Sequence, residues 1–332
     1  MKILVAMPNE ATGNSFITEE NVRRIEALAD EVVWNKEPRN MTREELRDAL
    51  EDVDVCICGW SVPKFDEFVL EKANKLKLIA YVAGSVHGIV SDAMYEKGIR
   101  IVAGNEGFAR SVAEGTIAYI LSAQRRLRKY EDYMRNDGWT PWPFFNEGLL
   151  EKTVGVVGYG AVSRHLLPML KAFHVKIKLF SNHMTQQQAE ELGVEKCTLE
   201  EIFSTCDIVT LHCSNSPENN NLVDERLLSM MKDGALLVNT SRGTVLDEEA
   251  LGREVMSGRL RAALDVFKEE PPAMDSPLRK SENVLLIPHM AGPTIDQRAA
   301  AARFAIEDIE RMMKGEPLQH EITQKRASVM SR

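Results

Sequence analysis

Two α/β domains, each a doubly wound parallel sheet, with a cleft between them: this is the fold the sequence predicts. Three observations carry it. Short β-branched runs alternate with helix-period segments through the first hundred residues. The alternation restarts after VGVVGYGAVSRHLL, residues 154–167, where a buried-type strand runs straight into two glycines and a helical pattern. A last Ala-rich helical stretch, 294–313, follows the final strand and can return to cover the first domain. The 332 residues suffice for two domains of ordinary size. The expected division is 1–105 with 295–332, and 106–294.

In the first domain, strands are expected at 2–6, 31–34, 53–58, 76–82 and 100–103. Helices are expected at 19–29, 42–50, 64–74 and 91–97. Ligands of such a sheet bind outside the carboxyl ends of its strands, here the loops 7–14, 59–63 and 83–88. A long helical pattern over 109–135 places Val112, Thr116, Ile120, Ala123, Leu127 and Tyr130 on one stripe. The basic run RRLRK at 125–129 lies on it as a solvated face. The aromatic and proline segment WTPWPFF, 139–145, follows; it reads equally as a packed loop and as a subunit contact or lid. Second-domain strands are expected at 153–157, 176–180, 207–212, 235–239, 262–266 and 283–287.

The turn after Val157 has the parts of a dinucleotide cradle. Gly158 allows a tight turn, and Gly160 lets a pyrophosphate approach the backbone. The helix opening at Ala161 and Val162 offers free N–H groups and a partial positive charge. This is a Rossmann-like arrangement. Ser163 stands where the motif usually has its third glycine, so a slight displacement of the helix is expected. The next strand ends at Ser181, Asn182 and His183, with neither a carboxylate nor an arginine at the ribose position. The residues therefore leave NAD and NADP undecided.

Net charge is −9, with 44% apolar and 27% charged residues. No basic cluster is long enough for a nucleic-acid backbone. No stretch approaches the roughly 18 apolar residues of a membrane span. The N-terminal apolar run is too short for a signal peptide. Five cysteines form no zinc pattern and no disulfide framework, and no metal is expected; a reducing cytoplasm is. Cys56 and Cys58 alternate in a strand and face one core side.

Three strand ends in the second half each present one residue suited to hydride transfer on a carboxylic acid. Arg242, in NTSRG, can clamp a carboxylate with two parallel hydrogen bonds. His289, in IPHMAGPT, supplies an imidazole, the side-chain type suited to proton transfer near neutral pH. Glu270, in LDVFKEEPP, can bond the other imidazole nitrogen and orient the ring. Each alone reads as structural. Together they follow consecutive strands of the sheet that carries the glycine turn.

These blocks, with CDIVTLHCSNSPENNNLVDERLL at 206–228, resemble the D-isomer-specific 2-hydroxyacid dehydrogenase family over nearly the full length. The resemblance implies an NAD(P)-dependent oxidoreductase acting on a small 2-keto or 2-hydroxy acid. It implies that Arg242 binds the substrate carboxylate, Glu270 partners the histidine and His289 is the acid/base. It places Asp265 at the nicotinamide carboxamide, and Ala161, Val162, Cys213, Ser214, Asn219, Thr240 and Ser241 at cofactor contacts. In the loop AGSVHG, 83–88, it implies carboxylate binding by backbone amides at Gly84 and Ser85; His87 stands where the family more often has an acid. It also implies a homodimer formed through the nucleotide domain, and a discontinuous substrate domain.

The loops expected around the substrate are nearly free of cations, which favours an unphosphorylated acid over phosphoglycerate. Two alternatives stay open: 3-phosphoglycerate dehydrogenase, and a dinucleotide-sensing binding protein of the corepressor type. Formate dehydrogenases carry Gln where Glu270 stands.

Overall fold

The computed structural model describes residues 1–136, 138–139, 146–328 and 330. They divide into two compact units, Met1–Phe108 with Pro293–Arg332, and Ala109–Gly292. No helix among the described residues is long and apolar enough to cross a membrane.

The first unit is a five-stranded parallel sheet. Its strands are β1 (Lys2–Val5), β2 (Glu31–Trp34), β3 (Val55–Cys58), β4 (Leu78–Tyr81) and β5 (Arg100–Ala103), in the order β2-β1-β3-β4-β5. All-parallel sheets need cover on both faces, and their strands read as unbroken apolar runs. Here β3 and β4 are buried at every position. One face carries Leu4, Cys56, Cys58, Ile79 and Tyr81. The other carries Ile3, Val5, Ile57 and Leu78, and packs on Ala301, Ala302, Ala305 and Ile309 of the helix Ile295–Lys314. The alanines let that helix lie close to the sheet. Both cysteines share one face, as their alternation requires.

The second unit is a seven-stranded parallel sheet. Its strands are β6 (Thr153–Val157), β7 (Lys176–Phe180), β8 (Glu195–Lys196), β9 (Ile208–Leu211), β10 (Leu236–Asn239), β11 (Arg261–Leu264) and β12 (Val284–Leu286). Their order is β12-β11-β10-β9-β6-β7-β8. The three strands that precede Arg242, Glu270 and His289 are therefore neighbours at one side of the sheet. In register, Asn239 pairs with Leu264, and Leu264 with Leu286.

Three expectations fail for local reasons. The helix expected at 64–74 is a series of turns. Phe65 donates its N–H to Ile89 O at 2.8 Å, and Phe65 O accepts from Ser91 Oγ at 2.6 Å. The Asp66 side chain takes the Val69 N–H at 3.2 Å. The groups that would start the helix are spent elsewhere. The loop expected at 7–14 holds a short helix, Ala11–Phe16, capped by the Glu10 side chain at Gly13 N. The long helical pattern begins earlier, at Asn105, and divides into Asn105–Arg125 and Leu127–Asn136. Arg126 takes the left-handed φ of 52° between them. The break turns Leu127 out to solvent, so the buried stripe is Ala109, Ala113, Thr116, Ile120 and Gln124. Strand β8 carries no sequence signal. Of the WTPWPFF segment, 140–145 lies outside the described residues.

Candidate active site

Asn239 ends β10 and is fully buried. Its Oδ1 accepts from Ser241 N at 3.0 Å and Ser241 Oγ at 2.8 Å, and its Nδ2 donates to Arg242 O at 2.9 Å. One side chain thus folds 239–242 into a tight turn. Arg242 is half-buried, and its Nη1 donates to Ser241 O at 2.7 Å. Burial lowers its pKa, while the charge of Glu270 acts in the opposite sense. Thr240 Oγ1 lies 2.9 Å from Thr116 Oγ1, tying the turn to the helix Asn105–Arg125. The next residue must be glycine. A Cβ at Gly243 would stand 1.9 Å from the backbone carbon of Phe267 and 2.2 Å from Lys268 N. That approach presses the Arg242 turn onto the loop that carries Glu270.

Past β11, Glu270 is held at both oxygens. Oε1 accepts the Phe267 N–H at 3.0 Å, and Oε2 lies 2.7 Å from His289 Nδ1. The pair is open to solvent, with side chains 53% and 38% exposed for His289 and Glu270. His289 has a φ of 52°. Such a backbone is costly for a side chain with a Cβ and persists only where the surroundings impose it. Here Asp265 imposes it. Its carbonyl accepts the His289 N–H at 2.9 Å. Its carboxylate accepts from Met290 N at 2.7 Å and Ala291 N at 3.1 Å. Asp265 is buried, which pushes its pKa up, while those amides and His289 pull it down. Tyr119 reaches its Oδ1 at 3.4 Å, and burial pushes the Tyr119 phenol well up.

The glycine turn lies at the carboxyl end of β6. Gly158 has a φ of 101°, and a Cβ there would sit 2.6 Å from His212 O. Gly160 caps the helix Ala161–Lys171 with no side chain over the first N–H groups. Nothing stands within 4 Å of the position its Cβ would take. The cradle fits an anionic dinucleotide: free amides at a helix start, with open space before them. Ser163 is fully buried, and its Oγ donates to Gly158 O at 2.7 Å. The hydroxyl in place of the third glycine thus braces the turn.

The other expected cofactor residues also follow strand ends. Ser181 accepts from His183 N at 3.3 Å. Cys213 Sγ reaches Val157 O at 3.4 Å, and burial pushes its thiol up to about 12. Ser214 O accepts from Asn219 Nδ2 at 2.9 Å. His212 beneath the turn is half-buried, with its Nε2 2.9 Å from Thr210 Oγ1, and desolvation of the ring lowers it to about 3. Gly84 and Ser85 lie in the other unit, past β4, where Ser85 Oγ accepts the His87 N–H at 3.4 Å.

The structure thus brings Arg242, Glu270 and His289 onto adjoining loops and turns the Asp265 carboxylate onto the His289 loop. Sequence reasoning missed Asn239, Asp265 as the clamp of that loop, and Tyr119. Asn239 had a local signal, an amide at a strand end before Ser and Arg. Tyr119 had none.

Residues 117–291 match the family model described as D-isomer specific 2-hydroxyacid dehydrogenase, NAD binding domain. The chain is 33% identical over 309 residues to the glyoxylate reductase of Thermofilum pendens, covering 91% of this chain and 90% of that one. It is 32% identical over 318 residues to the D-3-phosphoglycerate dehydrogenase of Methanocaldococcus jannaschii. That match covers 95% of this chain, which spans 58% of that relative's length. Among solved structures, the TT0316 protein of Thermus thermophilus superposes with a TM-score of 0.78 at 26% identity, over 97% of this chain and 100% of that one.

Proposed function

We propose that this chain, which belongs to the D-isomer specific 2-hydroxyacid dehydrogenase family, moves a hydride between NAD(P)H and C2 of a small 2-keto or D-2-hydroxy acid. In this reading 106–294 binds the nucleotide and 1–105 with 295–332 binds the acid. Gly158, Gly160, Ala161 and Val162 hold the pyrophosphate, and Ser181 faces the adenosine ribose. Cys213, Ser214, Asn219, Thr240, Ser241 and Asp265 line the rest of the cofactor. The bound nicotinamide supplies or accepts the hydride.

This chain's own side chains do the remainder. Arg242 holds the substrate carboxylate through its planar fork and polarises the adjoining carbonyl. Gly84 and Ser85 add backbone amides to that carboxylate. His289 uses Nδ1 on Glu270, so Nε2 is the nitrogen that trades protons. On reduction it gives a proton to the carbonyl oxygen as the C=O π bond opens; on oxidation it takes the hydroxyl proton. Glu270 fixes the orientation of the ring through its contact with Nδ1. The 2.7 Å His289–Glu270 contact on an open, solvent-facing pair carries the reading. A surface ion pair would not need Asp265 to force His289 into a left-handed backbone.

The same proposal takes a homodimer formed through the nucleotide-binding unit, in a reducing compartment such as the cytoplasm, in keeping with five free cysteines. The test is nicotinamide absorbance with a panel of 2-keto acids and both cofactors. Turnover is expected, with a loss of about two to four orders of magnitude in His289→Ala. No turnover by the intact chain, or full activity in the variant, would overturn it.

A further inference from the structure

The five-stranded unit has a ligand edge of its own. Its strand order changes direction between β1 and β3. Open parallel sheets take ligands at such a switch point, outside the carboxyl ends of the strands. Three aromatic rings gather there. Phe16 ends the helix after β1, Trp60 follows β3, and Phe108 lies just past β5. Trp60 meets Phe16 edge-on at 5.0 Å and Phe108 edge-on at 5.8 Å. Phe16 is fully covered, whereas Trp60 is 38% exposed.

Arg298 lies over this cluster. It comes from the first turns of the helix Ile295–Lys314. Its guanidinium carbon is 5.3 Å from the centre of the Trp60 ring and 5.7 Å from that of Phe16. Nη1 reaches Ser15 Oγ at 3.3 Å, and Nε is buried without a partner. A nearby carboxylate, Glu10, feels the charge of Arg298 but is spent on capping Gly13 N at 3.0 Å. A guanidinium stacked on rings is already ordered and weakly hydrated, and its in-plane N–H groups suit a planar or tetrahedral oxyanion. The cluster also reaches the other expected substrate loop. A Cβ at Gly84 would lie 3.4 Å from the Phe108 ring. A line of contacts thus runs from Gly84 across Phe108 and Trp60 to Arg298, all within one unit.

We infer that Arg298 receives a second oxyanion, at the far end of an acid whose reacting carboxylate rests on the Gly84–Ser85 amides. The inference rests on the dehydrogenase reading and narrows its substrate class to 2-keto acids with two anionic ends. It also bears on the expectation drawn from cation-poor loops. The loops 7–14 and 59–63 do lack cations, but the fold delivers one to them from the far end of the chain.

The experiment measures kcat/KM for oxaloacetate and for 3-phosphohydroxypyruvate, each divided by the value for pyruvate. The two numerators tell a carboxylate far end from a phosphate one. Arg298→Met should lower at least one ratio roughly 30-fold, mainly through KM, as loss of charge-assisted hydrogen bonds does. Arg298→Lys, which keeps the charge without the fork, should recover part of it. Trp60→Leu, which leaves Arg298 in place, should lower the same ratio by about 3- to 10-fold and serves if Arg298→Met fails to fold. Ratios that move less than about 3-fold, with all three acids falling together, would make Arg298 a structural tie and overturn the inference. If the intact chain turns over no 2-keto acid, the dehydrogenase reading fails by itself, and calorimetric binding of malonate against acetate then decides the subsite. A preference for malonate that Arg298→Met removes supports it; equal binding overturns it.

Discussion

The carboxyl edges of the two sheets are built in opposite ways. On the seven-stranded sheet, β10, β11 and β12 are neighbours, and each is followed within a few residues by one side chain of the proposed site. The loops there are locked together. Gly243 presses on Phe267, Asn239 folds the Arg242 turn, and Asp265 holds the His289 loop. On the five-stranded sheet, the loops after β1 and β3 bring rings, and the charge comes from a distant helix. A site whose parts follow consecutive strands is legible as a row of short motifs. A site assembled by a helix returning from the end of the chain is legible only after folding.

The largest effect that can break this contrast is steric. Gly243→Ala must push its Cβ off the Phe267 backbone, because 1.9 Å is far inside any real contact. Such overpacking costs about 3 kcal/mol or more, a fall of roughly 6–12 °C in Tm. Gly88→Ala, in the open loop past β4, meets nothing within 4 Å. It should shift Tm by less than about 2 °C, since relief of unfolded-chain entropy offsets any loss. Thermal unfolding of the two variants checks the pair. Equal shifts would mean that the two edges are equally packed.

A smaller effect separates the units by pH. His212 in the seven-stranded unit is pushed down to about 3 by burial, against 6.5 for an ordinary histidine. Between those values the unfolded chain binds a proton that the folded chain refuses. Stability therefore falls as pH drops below about 6.5, with a limiting slope of about 1.4 kcal/mol per pH unit. In the five-stranded unit, burial opposes the charge of Asp308, but His320, the Gln319 and His320 amides and Arg311 outweigh it and hold the carboxyl near 2. Its contribution is complete above about pH 4 and is lost only as pH falls through 2. Urea unfolding from pH 7 to pH 4 should show the slope, and His212→Gln should flatten it. An unchanged slope in that variant would remove His212 from the account.

Much of the first unit's topology was legible because parallel strands are continuous apolar runs and their connections are short. The 64–74 segment was not, because its apolar spacing is helical while the Phe65 backbone is committed to Ile89 and Ser91. Arg126 hid the break in the long helix, since no proline or glycine marks it. In the site, residue types at strand ends pointed to Arg242, Glu270 and His289. The work of Asp265 on the His289 loop was invisible, because a carboxylate caps backbone amides that only the fold presents. Ser163 looked like a defect in the glycine motif and is a hydrogen bond to Gly158 O.

The most direct test follows the hydride itself. The chain is supplied with pyruvate or oxaloacetate and NAD(P)H deuterated at C4, and the product is resolved by chiral chromatography and mass spectrometry. Deuterium at C2 of the D-hydroxy acid is the predicted result. Product of the other hand, or label found only in water, would contradict it.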